Sequence, residues 1–403
     1  MTSVEPVKPD KLFTPRFFVM CGFTFTVFLS AFQLLPTAPY RILDLGGSPF
    51  AAGLFLGFLT YASAFSAPVT GALADRVGKR RMLVGCSLAI AGFSVAYALA
   101  TDYRLLLGFV LLHGVFWSGL LSASSAYMTD IIPEARRAEG IGYWGLATIV
   151  AVAVAPAAGF AVYHHGWTWL CVVTGALNLL MAAIALGLRE DKRPHSGPRA
   201  PFFSRDLLGW RVLIVSFTLF LYSFGYGGIT SFVALYADAH HIAPKGIFFT
   251  VMSVVILMTR PLSGRAADRL GYKTILFPSL TLIAVGLALL AMSATRAGLV
   301  AAAIVFGSGF GSAYPAFAAY VMGEVDAARR GAAFGGILAA FDTGIGTGSI
   351  LTGLIIDRFG YSRAYVAAAI LAALSIPYFV LAEKRLMKAQ GPGPRSVSPA
   401  ETG

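Results

Sequence analysis

Charge is scarce in this chain: only 12% of its 403 residues are Asp, Glu, Lys or Arg, where ordinary soluble domains run near a quarter. A water-soluble protein of this length would need far more polar side chains to cover its outside, so the soluble-enzyme classes are excluded. Cysteine is nearly absent. The three present, Cys21, Cys86 and Cys171, each stand alone in an apolar stretch, which excludes a disulfide framework and a zinc site. The ~10-residue alternating segments of a membrane barrel are missing, as is the GxxxxGK[ST] loop of a nucleotide-driven pump. Met1 to Arg16 is polar and lacks a small-residue cleavage site, so the first apolar run reads as a retained span rather than a removed signal peptide.

What is present is apolar: 57% hydrophobic side chains, with 44 Gly and 20 Pro scattered through the apolar runs. That composition specifies helices that pack closely and bend within a lipid bilayer. A span needs ~20 apolar residues to cross ~30 Å of hydrocarbon. By that rule six spans fall near 17–38, 49–72, 82–100, 103–128, 140–163 and 168–188. Six more fall near 210–236, 246–266, 274–294, 297–321, 332–356 and 361–382. The fold class is therefore an all-α integral membrane protein of twelve transmembrane helices. Its expected organisation is an N-terminal segment 1–16, a six-helix bundle 17–188, a Pro-rich linker 189–209, a second bundle 210–382 and a basic tail 383–403.

The formal charge of +12 could suggest a nucleic-acid partner, but its placement points to topology. Of 31 Lys and Arg, 24 lie in the segments on the side of the two termini and six lie opposite, with Arg260 inside a span. Short loops rich in Lys and Arg stay in the cytoplasm, so both termini and the linker are expected there, in a plasma (bacterial inner) membrane, with no nucleic-acid partner. The adjacent pairs His164–His165 and His240–His241 have no acidic neighbours and read as loop residues; no metal, cofactor or catalytic cluster is expected.

Sliding the chain against itself by 193 residues superposes Gly53 on Gly246, Pro68 on Pro261, Tyr127 on Tyr320 and Arg136–Arg137 on Arg329–Arg330. It also superposes GALADRVGKRR from Gly71 on GRAADRLGYKT from Gly264. The chain thus reads as a duplicated bundle, its halves related by an axis along the membrane normal. With this loop present once per half, after each half's second span, the chain resembles the major facilitator superfamily, from about Phe17 to Lys388. The motif residues are Gly71, Asp75, Arg76, Gly78, Lys79 and Arg80, matched by Gly264, Asp268, Arg269 and Gly271. The resemblance implies that Asp75 faces the start of the eleventh span, near Gly331, and helps hold the cytoplasmic side shut. The plain reading of the basic flank is that it only sets topology. In the fifth span Pro156 and Gly159 keep part of an export-type pattern whose other positions here are Ala151, Ala155 and Phe160. In the fourth span the arginine of proton-linked exporters is absent: Val110 stands where it would be, ahead of His113–Gly114.

Ionisable groups at bilayer depth are costly and mark function by default. Asp342 lies ten residues into the eleventh span, ~15 Å along its axis, and Arg260 lies in the eighth. Their first-half counterparts are Ile149 and Ala67, so both charges belong to the second half alone. Two readings stand: they pair or share a substrate or proton, or they form a structural salt bridge. Asp342 is the better proton carrier, since desolvation favours the acid and a neighbouring guanidinium the carboxylate. His113 and Trp117 sit one turn apart in the fourth span, expected to line the cavity, although a lone membrane His also serves as a packing residue. Gln33, its counterpart Tyr226, Tyr222 and Tyr314 are further candidates, with simple packing as the alternative for the aromatics. Arg41 and Asp44 near the outer mouth form either a local ion pair or an outer gate.

The resemblance implies a secondary transporter (permease) working by alternating access around one midplane site, for which a monomer suffices. Its expected activity is proton-coupled export of a small amphipathic organic molecule, with H+ as the coupling ion. Uptake by symport or facilitated diffusion is the first alternative; a non-transporting sensor or scaffold is the second.

Overall fold

The computed structural model describes residues 11–133, 136–189, 210–292, 294–325 and 330–387. Residues 1–10, most of the expected linker (190–209) and the end of the tail (388–403) lie outside the described residues. Thirteen helices run α1 Pro15–Leu34, α2 Ala38–Asp44, α3 Pro49–Val77, α4 Lys79–Leu99, α5 Tyr103–Ile131, α6 Arg137–Tyr163 and α7 Trp167–Gly187. They continue as α8 Trp210–Ala239, α9 Ile247–Leu270, α10 Tyr272–Met292, α11 Arg296–Glu324, α12 Arg330–Phe359 and α13 Tyr361–Met387. With α1 and α2 counted as one, twelve are long and apolar enough to cross a membrane, and no strand occurs among the described residues.

Local chemistry sets the ends. Thr14, Ser48, Asp102 and Thr295 each accept a hydrogen bond from a first-turn amide, satisfying donors that a helix start leaves open, and Pro15 and Pro49 follow two of these caps at positions needing no N–H. The first span differs from expectation. Instead of running through to residue 38 it stops at Leu34 and resumes at Ala38, because Pro36 has no amide to continue the ladder and crowds the preceding turn. Most other helices outrun their apolar stretch, since polar ends can stay helical beyond the hydrocarbon.

The two halves pack alike. In the first, α3 packs on α5, α4 on α5 and α7, and α1 on α6 and α7; in the second, α9 packs on α11, α10 on α11 and α13, and α8 on α12 and α13. The seams between halves, α3 on α12 and α6 on α9, exchange under the same correspondence, which is what a pseudo-two-fold axis requires. The C-cap glycines of α3 and α9 repeat too: Gly78 and Gly271 hold φ of 100° and 87°, a conformation that costs glycine little.

For orientation, the end where α1 starts and α13 finishes is called proximal, and the other distal. The α3–α12 seam is distal. Ser349 Oγ donates to the Gly53 carbonyl at 2.8 Å, and Tyr61 and Thr347 share a 2.6 Å hydrogen bond. A β-carbon on Gly53 would run into the Ser349 carbonyl, so backbone meets backbone there. The α6–α9 seam is likewise distal, where Thr250 Oγ1 donates to the Ala153 carbonyl at 3.1 Å. Proximally, Gly71 of α3, Gly264 of α9 and Gly335 of α12 face open space. The hydrogen bonds described between the halves lie toward the distal end, whereas these three proximal glycines face open space.

A bulky side chain at Gly53 must force this seam open. In Gly53→Leu, a cysteine placed at Thr347 should react faster with a membrane-impermeant maleimide added from the distal side. An unchanged labelling rate would show that the seam does not seal that face.

Candidate functional site at mid-membrane

Three ionisable side chains converge from three helices just proximal to the α3–α12 seal. Asp342 lies near the middle of the 30-residue α12, Arg260 in the proximal half of α9 and Tyr314 in that of α11. All three are half-buried. Among the described residues no ion pair joins Arg260 to Asp342, and neither charge has another salt-bridge partner. Tyr314 joins them through Phe341, the residue beside Asp342, whose ring lies 5.1 Å from its own. Of the two readings open from the sequence, the direct salt bridge is not formed. The Arg260 guanidinium points to the other half: a β-carbon built on Gly145 of α6 would lie 3.7 Å from its Nη1.

An aromatic shelf surrounds these groups. Tyr222 and Tyr226, one turn apart on α8, face Phe310 of α11; Tyr226 stacks on it at 4.4 Å between centroids, and Tyr222 meets it edge-on at 6.1 Å. Phe341 of α12 adds contacts to Tyr314 at 5.1 Å and to Phe310 at 6.0 Å. The Tyr222 hydroxyl is fully buried without a hydrogen-bond partner among the described residues. The sequence did not single out Phe310 or Phe341. The signal was available, because the 193-residue offset lands Trp117 on Phe310, and Phe341 adjoins Asp342.

The remaining candidates separate by place. His113 turns into its own bundle: Nδ1 shares a 2.9 Å hydrogen bond with the Tyr97 hydroxyl, and its ring stacks on Phe93 at 5.8 Å. It is 6% exposed, a packing position rather than a cavity-lining one. Trp117, half-buried, packs edge-on against Phe28 of α1 at 5.7 Å. Gln33 is buried in the α1–α6 seam with Oε1 unpartnered. Gly159 allows that approach, since a β-carbon there would lie 2.8 Å from Gln33 Cα. α6 runs unbroken through Pro156.

Arg41 and Asp44 do not pair. Arg41 Nη2 donates to the Ala100 carbonyl at 3.3 Å, and Asp44 accepts from the Tyr163 hydroxyl at 2.9 Å. The cross-half contact at that mouth falls instead to two residues not foreseen. Lys245, ion-paired with Asp238 at 2.9 Å, lies 4.9 Å over the ring of Tyr40.

In the proximal loops, Lys79 is ion-paired with Asp130 of α5, and Arg80 donates to the Leu186 carbonyl at the end of α7. These cations tie helix ends within one half, where carbonyls and the helix dipole welcome positive charge. Asp75 is exposed, and among the described residues its carboxylate has no hydrogen-bond or ion-pair partner, Gly331 included. Arg76 and Arg269 are exposed at the ends of α3 and α9, and the side chain of Asp268 lies outside the described residues. No group of three or more metal-ligating side chains gathers among the described residues.

The Major Facilitator Superfamily model matches residues 20–244 and 215–402. The chain belongs to this superfamily. An uncharacterised MFS-type transporter of Burkholderia mallei strain SAVP1 is 26% identical over 381 residues, 92% of this chain and 93% of that one. The uncharacterised MFS-type transporter YhhS of Escherichia coli K12 is 26% identical over 365 residues, covering 88% and 89%. In fold, the chain is similar to the nucleoside transporter NupG, with a TM-score of 0.75 at 17% identity over 93% of this chain and 99% of that one. It is equally similar to a bacterial homologue of the human lysosomal transporter Spinster, in an inward-facing and occupied conformation. There the TM-score is 0.76 at 18% identity, over 98% and 100% of the two chains. The chain is thus a multi-pass MFS transporter for a small molecule.

The His113 placement makes a prediction. In His113→Leu the Tyr97 hydroxyl is left buried and unpartnered, at a cost of about 1–3 kcal/mol. The purified protein should melt at a lower temperature while the KM for transport stays unchanged. A shifted KM with an unchanged melting temperature would put His113 back on the transport path.

Proposed function

We propose that this MFS transporter exports a small amphipathic organic molecule across a bacterial inner membrane in exchange for protons, with both termini in the cytoplasm. The observation that carries this reading is an unpaired carboxylate, Asp342, on an aromatic shelf at mid-membrane depth, just beneath the distal seal. A carboxylate there is costly to keep charged, and a proton or a cationic group of the substrate relieves that cost equally well. The two compete for one site, and competition is what exchange requires: the side chain delivers its proton only when the substrate takes its place. The aromatic shelf suits the apolar body of an amphipathic molecule.

With the termini cytoplasmic, the conformation described faces the cytoplasm, as the occupied Spinster homologue does by its description. Asp75 and its counterpart then act in the opposite conformation, where the proximal ends close and the carboxylate meets the positive end of α12. Tyr40 and Lys245 hold the outer mouth until then.

The test is a screen of amphipathic compounds in proteoliposomes, with and without an imposed pH gradient, in both vesicle orientations. Wild-type protein should accumulate its substrate against a gradient when protons flow the other way. Asp342→Asn should insert and fold normally, lose the gradient-driven flux entirely, and bind the substrate more weakly. Unimpaired gradient-driven transport in Asp342→Asn would remove the coupling role, and flux in the direction of proton flow would make the protein an uptake symporter. Binding without flux in any orientation would leave a sensor.

A further inference from the structure

Arg260 and Asp342 present a puzzle that the coupling reading leaves open. Arginine stays protonated at any accessible pH, and a guanidinium at bilayer depth needs an anion or a polar shell. Arg260 has a potential partner in the same bundle, yet no carboxylate is salt-bridged to it among the described residues. Both side chains stay half-open rather than packing away. Beside Asp342, the ring of Phe341 packs on that of Tyr314. Tyr222, whose fully buried hydroxyl has no hydrogen-bond partner among the described residues, lies with its ring 6.2 Å from that of Phe341. The site therefore carries one cation and one anion that do not pair with each other, with aromatic rings packed beside the anion.

We infer that the substrate is a dipolar amphipathic molecule, an aminocarboxylate with an apolar or aromatic body, whose carboxylate lies on Arg260 and whose ammonium lies on Asp342. The inference rests on this cavity being the transport site and names its substrate class. A ligand with one charge satisfies one end and leaves the other unpaired in a low-dielectric cavity, where an uncompensated charge is expensive. A neutral amphipath satisfies neither. The dipolar molecule neutralises both, its ring or chain lying along Tyr314, Phe341 and Phe310. It also fits the exchange mechanism, because the ammonium group contends with the proton for Asp342 while the carboxylate end supplies recognition. Arg260 reaches Gly145 across the α6–α9 seam, so a carboxylate held there touches both halves.

The test uses matched probes. 4-(Aminomethyl)benzoate carries its two charges across one ring, and phenylalanine carries them one carbon apart. For each, the carboxamide keeps only the cation, the N-acetyl derivative only the anion, and the N-acetyl amide neither. Binding is read on the purified full-length protein, without any gradient, from thermal stabilisation and tryptophan fluorescence. At least one dipolar probe should stabilise the protein, and each singly charged analogue should bind about tenfold more weakly or worse, since charge-assisted hydrogen bonds contribute that much. Arg260→Gln should erase the preference for the carboxylate alone, and Asp342→Asn the preference for the ammonium alone.

Gly145→Asp guards against a variant that simply fails to fold. Ordinary contact distance there leaves room for a side chain, and the new carboxylate should neutralise Arg260, preserving the melting temperature while abolishing discrimination between acid and amide. Equal binding of charged and uncharged analogues overturns the inference, as does the absence of binding by both dipolar probes. Stabilisation by chloride or phosphate as strong as by the dipolar probe overturns it too. Because no gradient enters this assay, it can succeed where the proposed proton exchange fails, and the reverse.

Discussion

Everything in this molecule hangs from the approach of α3 to α12 at the distal end. Hydrocarbon offers backbone groups no partners, so each span must satisfy its own hydrogen bonds as a helix, and helices then associate by close packing rather than by expulsion of water. Gly53 on α3 supplies that closeness, letting its carbonyl meet Ser349 Oγ at 2.8 Å. One step nearer the proximal end, the Tyr61–Thr347 hydrogen bond crosses the same seam. Asp342 sits five residues further along α12. The seal and the site are thus consecutive turns of one helix, and a tilt of the halves that breaks one must move the other.

The second organising constraint is charge in a place that resists it. The first half keeps its interior neutral and knits it with small hydroxyls and an amide: Asn178 Nδ2 donates to Ser30 Oγ at 2.9 Å, and Thr174 lies beside Ser94. The second half carries Arg260 and Asp342 at mid-depth, apart from one another, against a wall of rings. A duplicated fold has therefore been divided in chemistry, with symmetric packing and a one-sided polar site. The cost of two separate mid-membrane charges is hard to reconcile with a purely structural role, because pairing them would have been cheaper.

The ends of the helices follow simpler electrostatics. Lys79 and Arg80 serve carbonyls and a carboxylate on neighbouring helices of their own half, and the basic flank of the motif gains a structural use besides topology. The distal mouth shows how local sequence proximity can mislead. Arg41 and Asp44 are three residues apart on a short helix, the spacing of an ion pair. Each nevertheless finds a partner from another helix, Ala100 for one and Tyr163 for the other. A further contact between the halves joins Tyr40 to Lys245, about two hundred residues away in sequence.

Composition and hydropathy alone determined that this chain spans a membrane as twelve helices. The repeated Gly-x-x-x-Asp-Arg-x-Gly loop determined its superfamily, and rarity picked out Asp342 and Arg260, because a charge inside an apolar run has no ordinary explanation. These are local properties, and a sequence carries them openly. Which side chains face one another was decided only by the tertiary structure. The rotation of each helix about its axis turned His113 into its own bundle toward Tyr97, gathered Phe310 and Phe341 beside Tyr314, and kept Arg260 from closing on Asp342. A helix of uniformly apolar residues does not encode its own facing; that emerges from how small residues on distant helices let backbones meet.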